Sequence, residues 1–299
     1  MRRALVTGAS GFVGRTAVAA LRARGFEVHA VARRAEPSIE ADAWHEADLL
    51  DSAGLAPLVD ASRASHLLLL AWTTEHGAFW SDPANLDWSR ATLELAGAFA
   101  EAGGERSVLV GSCAQYDWDA LGTGPADENE SPRRPATLYG QAKEETARRL
   151  EAGELSHATA LLFFPYGPYD NAERLVPSLT RDLLAGLEVT VKSGAEVRDF
   201  VHAEDCGAAL AAVLDSGVTG AVNVGTGQPS TIAEVARTVA RIVRHEDLLQ
   251  VDPPRGEPST VVASVRRLTE EVGFVPRYDL ESGLRQTVDW LRDQRTRRR

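Results

Sequence analysis

Apolar and polar residues follow two different periods along the first half of the chain. Short, nearly continuous apolar runs, such as His66 to Ala71, are typical of strands buried on both faces of a sheet. Between them lie longer segments, such as Phe12 to Arg24, whose apolar residues fall on one face of a helix. This alternation predicts a parallel sheet with helices on both sides. The predicted strands lie at 3–7, 27–32, 66–71, 107–110 and 158–164, and the predicted helices at 12–24, 85–102 and 139–152.

The second half of the chain is less regular, and a proline-rich stretch at 253–258 interrupts it. Its helical patterns lie at 174–185, 205–214, 231–243 and 280–292. We predict an α/β fold in which a doubly wound parallel sheet occupies 1–165. A smaller, interwoven C-terminal part over 166–299 is expected to bind substrate and to return some segments to the sheet.

Composition narrows the functional classes. The chain has 299 residues, and its 43 acidic residues outnumber its 32 lysines and arginines, for a formal charge of −11. A net-acidic chain is a poor candidate for general nucleic-acid binding, which needs a basic face. Cys113 and Cys206 are too few for a disulfide framework and fit a reducing compartment. The histidines have no ligand spacing, so we expect no metal site.

The apolar runs are too short for targeting or for membrane insertion. Thr7 and Gly8 end the N-terminal run too soon for a signal peptide. The run at 67–72 is far below the roughly 20 residues that span a bilayer. We therefore expect a cytoplasmic protein without a membrane partner.

A glycine pattern follows the first predicted strand and opens the first predicted helix. Gly8, Gly11 and Gly14 give the spacing G-x-x-G-x-x-G. Glycines allow a tight turn and a close approach of the backbone to a pyrophosphate, which the helix N-terminus attracts. The position between a strand and a helix favours a dinucleotide site on a Rossmann-type sheet over an ordinary turn. The loop residues expected to contact the cofactor are Gly8, Ser10, Gly11, Phe12, Val13 and Gly14.

The end of the second strand selects between the two nicotinamide dinucleotides. An acidic residue at this place binds the ribose of NAD, whereas this chain has Ala32 followed by Arg33 and Arg34. Guanidinium groups suit a 2′-phosphate, so NADP(H) is favoured over NAD(H). A solvated pair of surface arginines is the alternative interpretation. Asp48 and Leu49 follow the third strand, where we expect the adenine contact.

A tyrosine and a lysine lie four residues apart at the start of the helix predicted over 139–152. Tyr139 and Lys143 share one face, because positions i and i+4 are neighbours on a helix. A phenol with a reference pKa near 10 is a poor acid–base group at neutral pH, and we expect the nearby ammonium to lower that pKa. The pattern is common by itself, and it indicates catalysis only together with the glycine loop and Ser112.

Several further motifs occur in order along nearly the whole chain. With them, the chain resembles the extended short-chain dehydrogenases/reductases, in particular the NAD(P)-dependent epimerase/dehydratase group that acts on nucleotide sugars. Ser112 to Tyr116 resembles the group's S-x-x-x-Y segment, and Tyr166 to Pro168 its Y-G-P. The other matches are Arg198 to His202 with Asp205, Asn223 to Gly227, and Arg255 to Pro258.

The resemblance implies a role for each matching residue. Tyr139 would exchange a proton with the sugar oxygen, and Ser112 would hydrogen-bond the same oxygen. Lys143 would tune Tyr139 and hold the nicotinamide ribose. The implied catalytic residues are thus Ser112, Tyr139 and Lys143, and Ala71 is a further cofactor contact.

The resemblance also implies how a substrate is held. Arg198 and Arg255 would bind the nucleotide diphosphate, because fork-shaped donors suit phosphate oxygens. Pairing with Asp199 or Glu257 is the alternative for each arginine. Arg174 would join them unless it is a solvated helix residue. The implied substrate contacts are Ser112, Tyr116, Arg174, Arg198 and Arg255.

Departures from the group's patterns bear on the reaction. Dehydratases of the group carry an acid pair after the catalytic hydroxyl, where this chain has Cys113 and Ala114, so 4,6-dehydration is not expected. An asparagine usually stands two residues before Y-G-P, where this chain has Phe164. Trp72, Trp80 and Trp88 would reshape the pocket, although core packing is the simpler interpretation for at least two of them.

We therefore expect an NADPH-dependent reductase of a keto group, at C4, on a nucleotide-diphosphate deoxysugar. A nucleotide-sugar 4-epimerase with retained NAD(P) is the main alternative, and a non-catalytic NADP-sensing protein is the second. The group also implies a homodimer in which the helices near 85–102 and 139–152 pair across a two-fold axis. The nucleotide, the sugar and the product stereochemistry depend on pocket shape, which no motif encodes.

Overall fold

A computed structural model describes residues 2–73, 75–254 and 256–297. The helices are α1 Gly14–Ala23, α2 Leu55–Ser62, α3 Ala84–Glu101, α4 Leu138–Glu151, α5 Leu175–Leu184, α6 Ala203–Leu214, α7 Ile232–Val243 and α8 Leu280–Arg297. The strands are β1 Arg3–Thr7, β2 Glu27–Ala32, β3 Ala43–Glu46, β4 His66–Leu69, β5 Arg106–Ser112, β6 Ser156–Leu162, β7 Phe164–Tyr166, β8 Val189–Val191, β9 Val197–Arg198, β10 Phe200–His202, β11 Gly220–Val224, β12 Ser230–Thr231, β13 Leu249–Val251 and β14 Thr260–Val261.

A central parallel sheet organises the molecule. Over the described ranges it has seven strands, in the order β11-β6-β5-β4-β1-β2-β3. The chain runs outward from β1 to β3, returns to β4 on the other side of β1, and then runs outward again. This confirms the predicted doubly wound, Rossmann-type fold. In such sheets ligands bind at the carboxyl ends of the strands, where the order reverses, which here lies between β1 and β4.

Helices cover both faces of the sheet, as the alternating pattern predicted. Successive residues of a strand point to opposite faces. Thus Val6 packs in the same core as α1 and α6, with Leu21 and Leu210 as fully buried members. Leu5 packs in the opposite core with α2, α3 and α4, which includes Leu95. Burying large apolar side chains on both faces stabilises the sheet by about 1.5–3 kcal/mol for each one.

The second half of the chain contributes to both parts of the fold. Its β11 pairs in parallel with β6 and extends the sheet, while α6 covers one face. The helices α5, α7 and α8 enclose a separate apolar cluster that includes Leu183, Val239 and Leu284. Among the described helices, none has the length and apolar character that crossing a membrane requires.

Element boundaries differ from the prediction around 158–164. The strand β6 ends at Leu162, and the backbone N–H of Phe163 donates to Val224 on β11 over 3.0 Å. From Phe164 the chain pairs instead with β10, outside the main sheet. The apolar run therefore serves two strands in succession, which periodicity alone does not separate.

Candidate active site

A cavity of about 1010 Å³ opens at the carboxyl edge of the sheet. The β1–α1 loop forms one end of it, and residues of β5, α4 and the segment after β7 form the other. A groove of about 1390 Å³ lies elsewhere, against α1 and the segment 274–277, but none of the predicted site residues lines it within the described chain. The cavity at the sheet edge is therefore the candidate active site.

The glycine loop lies against the cavity with the geometry that a dinucleotide requires. Gly8 has a φ of +66°, and a Cβ at that position would lie 2.9 Å from the backbone nitrogen of Ala71. At Gly14 a Cβ would clash with the carbonyl oxygen of Gly8. Glycine is thus required both for the turn and for the close packing of α1 beneath it. All six predicted loop residues line the cavity.

Only some of the residues predicted to contact the adenosine part of the cofactor line the cavity. Arg33, Asp48 and Leu49 line it, and so does Ala71 after β4. Arg34 is exposed and does not line it. Of the two arginines, Arg33 is therefore the one that reaches the cavity.

The predicted catalytic residues come together on one wall. The hydroxyl of Thr137 accepts the N–H of Gly140 over 3.2 Å and so caps the start of α4. The N–H of Tyr139, which has no partner within the first helical turn, donates to the carbonyl of Trp80 over 3.1 Å. Helical spacing then aligns Tyr139 with Lys143, and both line the cavity with Ser112 at the end of β5.

The electrostatics of Tyr139 differ from the expectation. Burial raises the pKa of Tyr139 to about 12, while the hydrogen bond from Ser112 and the positive charge of Arg174 oppose that rise. Lys143 does not contribute to the shift. The expectation that this ammonium lowers the tyrosine pKa is therefore wrong here.

The position of the Lys143 ammonium explains the difference. Its Nζ donates to the carbonyl of Val110 over 2.6 Å and lies 4.2 Å from the ring centre of Trp72. The ring centre of Tyr139 is farther away, at 5.7 Å. Burial lowers the pKa of Lys143 to about 7, because a desolvated ammonium is less stable than a neutral amine.

Aromatic side chains form the wall around Tyr139. The ring of Phe79 meets the Tyr139 ring edge to face at 5.0 Å, and that of Trp80 does so at 5.9 Å. Trp80 in turn meets Trp118 at 6.4 Å. All of these residues line the cavity, as do Trp72 and Trp88. Trp72 and Trp88 also pack in the core, as the alternative interpretation expected, whereas Trp80 is exposed.

Arg174, like Ser112, is a predicted substrate contact that lies on the cavity wall. It stands at the N-terminus of α5 and is 35% exposed. One of its nitrogens, Nη1, donates to Asp170 Oδ1 over 3.3 Å. Burial raises the pKa of Asp170 to about 6, although the Arg174 charge opposes the shift. Asp170 also lines the cavity. It was missed by sequence reasoning, although its place directly after the Y-G-P-Y segment was a usable signal.

Arg198 lies behind the cavity wall. Its guanidinium donates to the carboxylate of Glu196 and the hydroxyl of Ser259, both over 3.0 Å, and to the carbonyls of Val197 and Ser259. The predicted alternative partner, Asp199, instead accepts the N–H groups of the loop after β11. Arg198 and Asp199 therefore hold neighbouring loops together. Arg198 does not line the cavity, where the expected contact with a diphosphate would require it.

Two other predicted substrate contacts have different outcomes. Tyr116 is 1% exposed, packs in an apolar cluster and donates its hydroxyl to Asn223 Oδ1 over 2.9 Å. It is a core residue and does not line the cavity. Arg255 lies outside the described residues.

Cys113 lines the cavity as a free thiol, and burial raises its pKa to about 12, so it is not an activated nucleophile.

Comparison with known proteins identifies the family. Residues 4–225 match the model of the NAD dependent epimerase/dehydratase family. The chain is similar to the dTDP-4-dehydro-6-deoxy-D-allose reductase of Streptomyces bikiniensis, at 28% identity over 97% of this chain and 96% of that enzyme. It is also 28% identical to the dTDP-glucose 4,6-dehydratase of Neisseria gonorrhoeae, but that match covers only 60% of this chain and 58% of the relative's length.

A solved structure supports the same assignment. The UDP-glucose 4-epimerase of Thermus thermophilus, in complex with NAD, has 28% identity and a TM-score of 0.83, with 97% of this chain and 99% of that chain covered. The chain belongs to the NAD dependent epimerase/dehydratase family and is an NAD(P)-dependent enzyme.

Proposed function

We propose that this protein uses NADPH to reduce a keto group, at C4, on a nucleotide-diphosphate deoxysugar. The observation that carries the proposal is the shared wall of Ser112, Tyr139 and Lys143 in a cavity that extends to the glycine loop. The similarity to a deoxysugar reductase over nearly the whole chain favours the same substrate class.

The chain's own groups favour the reductive direction. When bound, a reduced nicotinamide supplies a hydride. Because burial keeps the pKa of Tyr139 at about 12, its hydroxyl carries a proton at neutral pH and can donate it to the carbonyl oxygen. Ser112 lines the same wall as Tyr139, and its hydroxyl can share the oxygen that receives the proton. Phe79 and Trp80 pack edge to face on the Tyr139 ring and limit its contact with solvent.

The glycine loop fits a dinucleotide, and Arg33 supports the choice of NADP(H). No side chain beyond Cα projects from Gly8 or Gly14 into the turn, so backbone N–H groups at the start of α1 can approach the pyrophosphate. Arg33 would bind the 2′-phosphate, and Lys143 with Tyr139 would hold the nicotinamide ribose.

Arg174 is the proposed anchor for the substrate's phosphates, with Arg255 as a second contact on sequence grounds. A guanidinium that already pairs with the carboxylate of Asp170, a neighbouring residue of the cavity wall, can exchange that partner for a phosphate oxygen. Arg198 supports the loops behind the wall.

The main alternative is a nucleotide-sugar 4-epimerase, for which the similarity to an NAD-bound epimerase is the specific observation. An epimerase would regenerate its coenzyme in each cycle and would convert substrate without added NADPH. A non-catalytic NADP sensor would bind the dinucleotide and leave every sugar unchanged.

The decisive experiment incubates the protein with NADPH and a panel of nucleotide-linked 4-keto-6-deoxysugars. Loss of NADPH absorbance and the product's stereochemistry are measured. Tyr139→Phe should lower turnover at least ~100-fold, since general acid catalysis is usually worth about 10²–10⁴, while NADPH binding remains. Tyr278→Phe, which removes a hydroxyl that donates to Glu204 away from the cavity, is the matched control. Near-normal turnover by Tyr139→Phe would refute the proposal.

We also propose a homodimer formed through α3 and α4. The outer face of α3 exposes Leu86 at 58% and continues through Leu93 and Gly97. Exposed apolar and small side chains at helical spacing suit a helix–helix interface. Sedimentation at micromolar concentration should show a dimer, and Leu86→Asp should shift it toward monomer. A monomer in the parent protein would contradict this proposal.

A further inference from the structure

Asn85 is a fully buried amide in the first turn of α3. Its Oδ1 accepts the indole N–H of Trp72 over 2.8 Å. Its Nδ2 donates to two carbonyls, that of Phe79 over 2.8 Å and that of Asp82 over 2.7 Å. A side-chain amide has two donors and one carbonyl acceptor, so both ends of this one are occupied.

Two of the three partners of Asn85, Trp72 and Phe79, lead to the catalytic helix by separate routes. Trp72 lies beneath the Lys143 ammonium, whose Nζ is 4.2 Å from the ring centre. Phe79 packs edge to face on Tyr139, and the next residue, Trp80, accepts the backbone N–H of Tyr139. One buried amide therefore fixes the supports of two catalytic side chains.

We propose that Asn85 is a positioning residue for the reaction. It holds the Trp72 ring against the Lys143 ammonium, and it holds the turn at 79–82 against Tyr139. The proposal rests on the proposed roles of Tyr139 and Lys143. Buried polar networks of this kind enforce one geometry, because each unmade hydrogen bond leaves a desolvated group without a partner.

The Trp72 face matters because Lys143 has few other stabilising contacts. An ammonium has three donors, and the described residues supply one hydrogen-bond acceptor, the carbonyl of Val110. Burial is the cause of its lowered pKa, and no charged group contributes. Tyr139, on the same helix, is a titratable side chain near it, with its ring centre 5.7 Å from Nζ. Cys113 and Arg174 influence Tyr139. The indole face therefore stabilises the cation, as in other cation–π contacts.

The lysine content of the chain makes a direct measurement possible. Lys143 and Lys192 are the two lysines of the sequence, and Lys192 is exposed. In protein with labelled lysine, the ε-carbon resonance of Lys143 reports its pKa, and Lys192 is the internal control. This pKa measurement needs neither cofactor nor substrate.

Four variants test the proposal. Trp72→Leu removes the aromatic face, Trp72→Phe keeps a ring but removes the N–H to Asn85, and Asn85→Leu removes the amide at similar volume. Val239→Ala, in the separate cluster of α5, α7 and α8, is the control for a general loss of stability.

We expect the Lys143 pKa to fall by about half a unit or more in Trp72→Leu and Asn85→Leu, as the loss of a desolvated cation–π contact implies. Turnover by Asn85→Leu should fall ~10–100-fold with a smaller change in KM, as for other misplaced catalytic groups. Val239→Ala should change neither the Lys143 pKa nor the turnover. The Lys192 pKa should stay constant throughout.

An unchanged or raised Lys143 pKa in Asn85→Leu would overturn the proposal, as would kinetics that match Val239→Ala. If Asn85→Leu does not fold, Trp72→Phe tests the proposal instead, because it breaks the same hydrogen bond. A Trp72→Phe variant whose turnover and Lys143 pKa equal those of the parent would overturn the proposal. Normal turnover by Tyr139→Phe would instead refute the proposed function, so the two failures can be told apart.

Discussion

The guanidinium carbon of Arg198 lies 5.4 Å from the ring centre of Phe164, and it is Phe164 that lines the cavity. Trp118 stands at a similar distance, 5.3 Å, and also lines the cavity. Both rings line the cavity, whereas Arg198 does not line it and its side chain is 11% exposed. Its charge is used within the protein, on Glu196.

Arg198→Ala should therefore destabilise the protein without weakening substrate binding. The variant removes the guanidinium donor from Glu196 and Ser259, and Glu196 then keeps only the N–H and hydroxyl of Ser259 as donors. The loss of such a charge-assisted hydrogen bond costs about 1.5–3 kcal/mol. Thermal unfolding should shift to lower temperature, while KM for a nucleotide sugar at permissive temperature stays near the parent value. A strongly raised KM with unchanged unfolding would restore the diphosphate role.

Arg174→Ala should have the opposite effect, since Arg174 lies on the cavity wall. We expect KM for the nucleotide sugar to rise about tenfold or more, because a charge-assisted contact is worth about 1.5–3 kcal/mol. NADPH binding should be retained. Arg181→Ala is the matched control, because Arg181 lies on the same helix and pairs with Glu173 and Asp182 at the surface. Equal effects of the two substitutions would exclude Arg174 as a substrate contact.

Arg33 and Arg34 form a second matched pair. Arg33 lines the cavity and Arg34 does not, so Arg33→Ala should weaken NADPH binding about tenfold or more if it loses a charged contact to the 2′-phosphate. Arg34→Ala should have little effect, and neither variant should alter NADH binding. Fluorescence titration with both dinucleotides measures this. Parallel weakening of NADPH and NADH by Arg33→Ala would contradict a role at the 2′-phosphate.

The features that sequence reasoning identified correctly are local in the chain. The spacing of Gly8, Gly11 and Gly14 fixes a turn, and four-residue spacing fixes the shared face of Tyr139 and Lys143. Arg198 shows the limit of a motif, which gives a residue's place on a strand but not the partners its side chain will find.

Asn85, unlike Asp170, could not be found from its local sequence, because its contacts depend on how the chain folds. Asn85 acts on Trp72 from 13 positions away, and its other contacts reach the catalytic helix through a turn. The direction of the Tyr139 pKa shift was also mispredicted, because desolvation depends on what the whole fold packs around the side chain. No periodicity in the sequence reports that environment.

Asp170 should make the stability of the protein depend on pH in an unusual direction. Its side chain is 3% exposed, and burial raises its pKa from 3.8 to about 6. Between these two values the folded protein binds the proton more tightly than the unfolded chain does. The contribution of Asp170 to stability is therefore present at low pH and is lost as pH rises through about 6. Most carboxylates in ion pairs behave in the opposite way.

Asp170→Asn should remove this dependence, because the amide fills a similar volume and does not ionise. At neutral pH the variant should be more stable than the parent by at most about 3 kcal/mol, the free energy that corresponds to the pKa shift. At pH values well below 5 the two proteins should converge. Denaturant unfolding of both proteins across this pH range measures the difference, and Asp182→Asn, on the exposed surface of α5, is the control. A parent and an Asp170→Asn variant whose stabilities run parallel at every pH would show that Asp170 does not carry the raised pKa. If the variant is less stable at neutral pH, the ion pair with Arg174 outweighs the desolvation of the carboxylate.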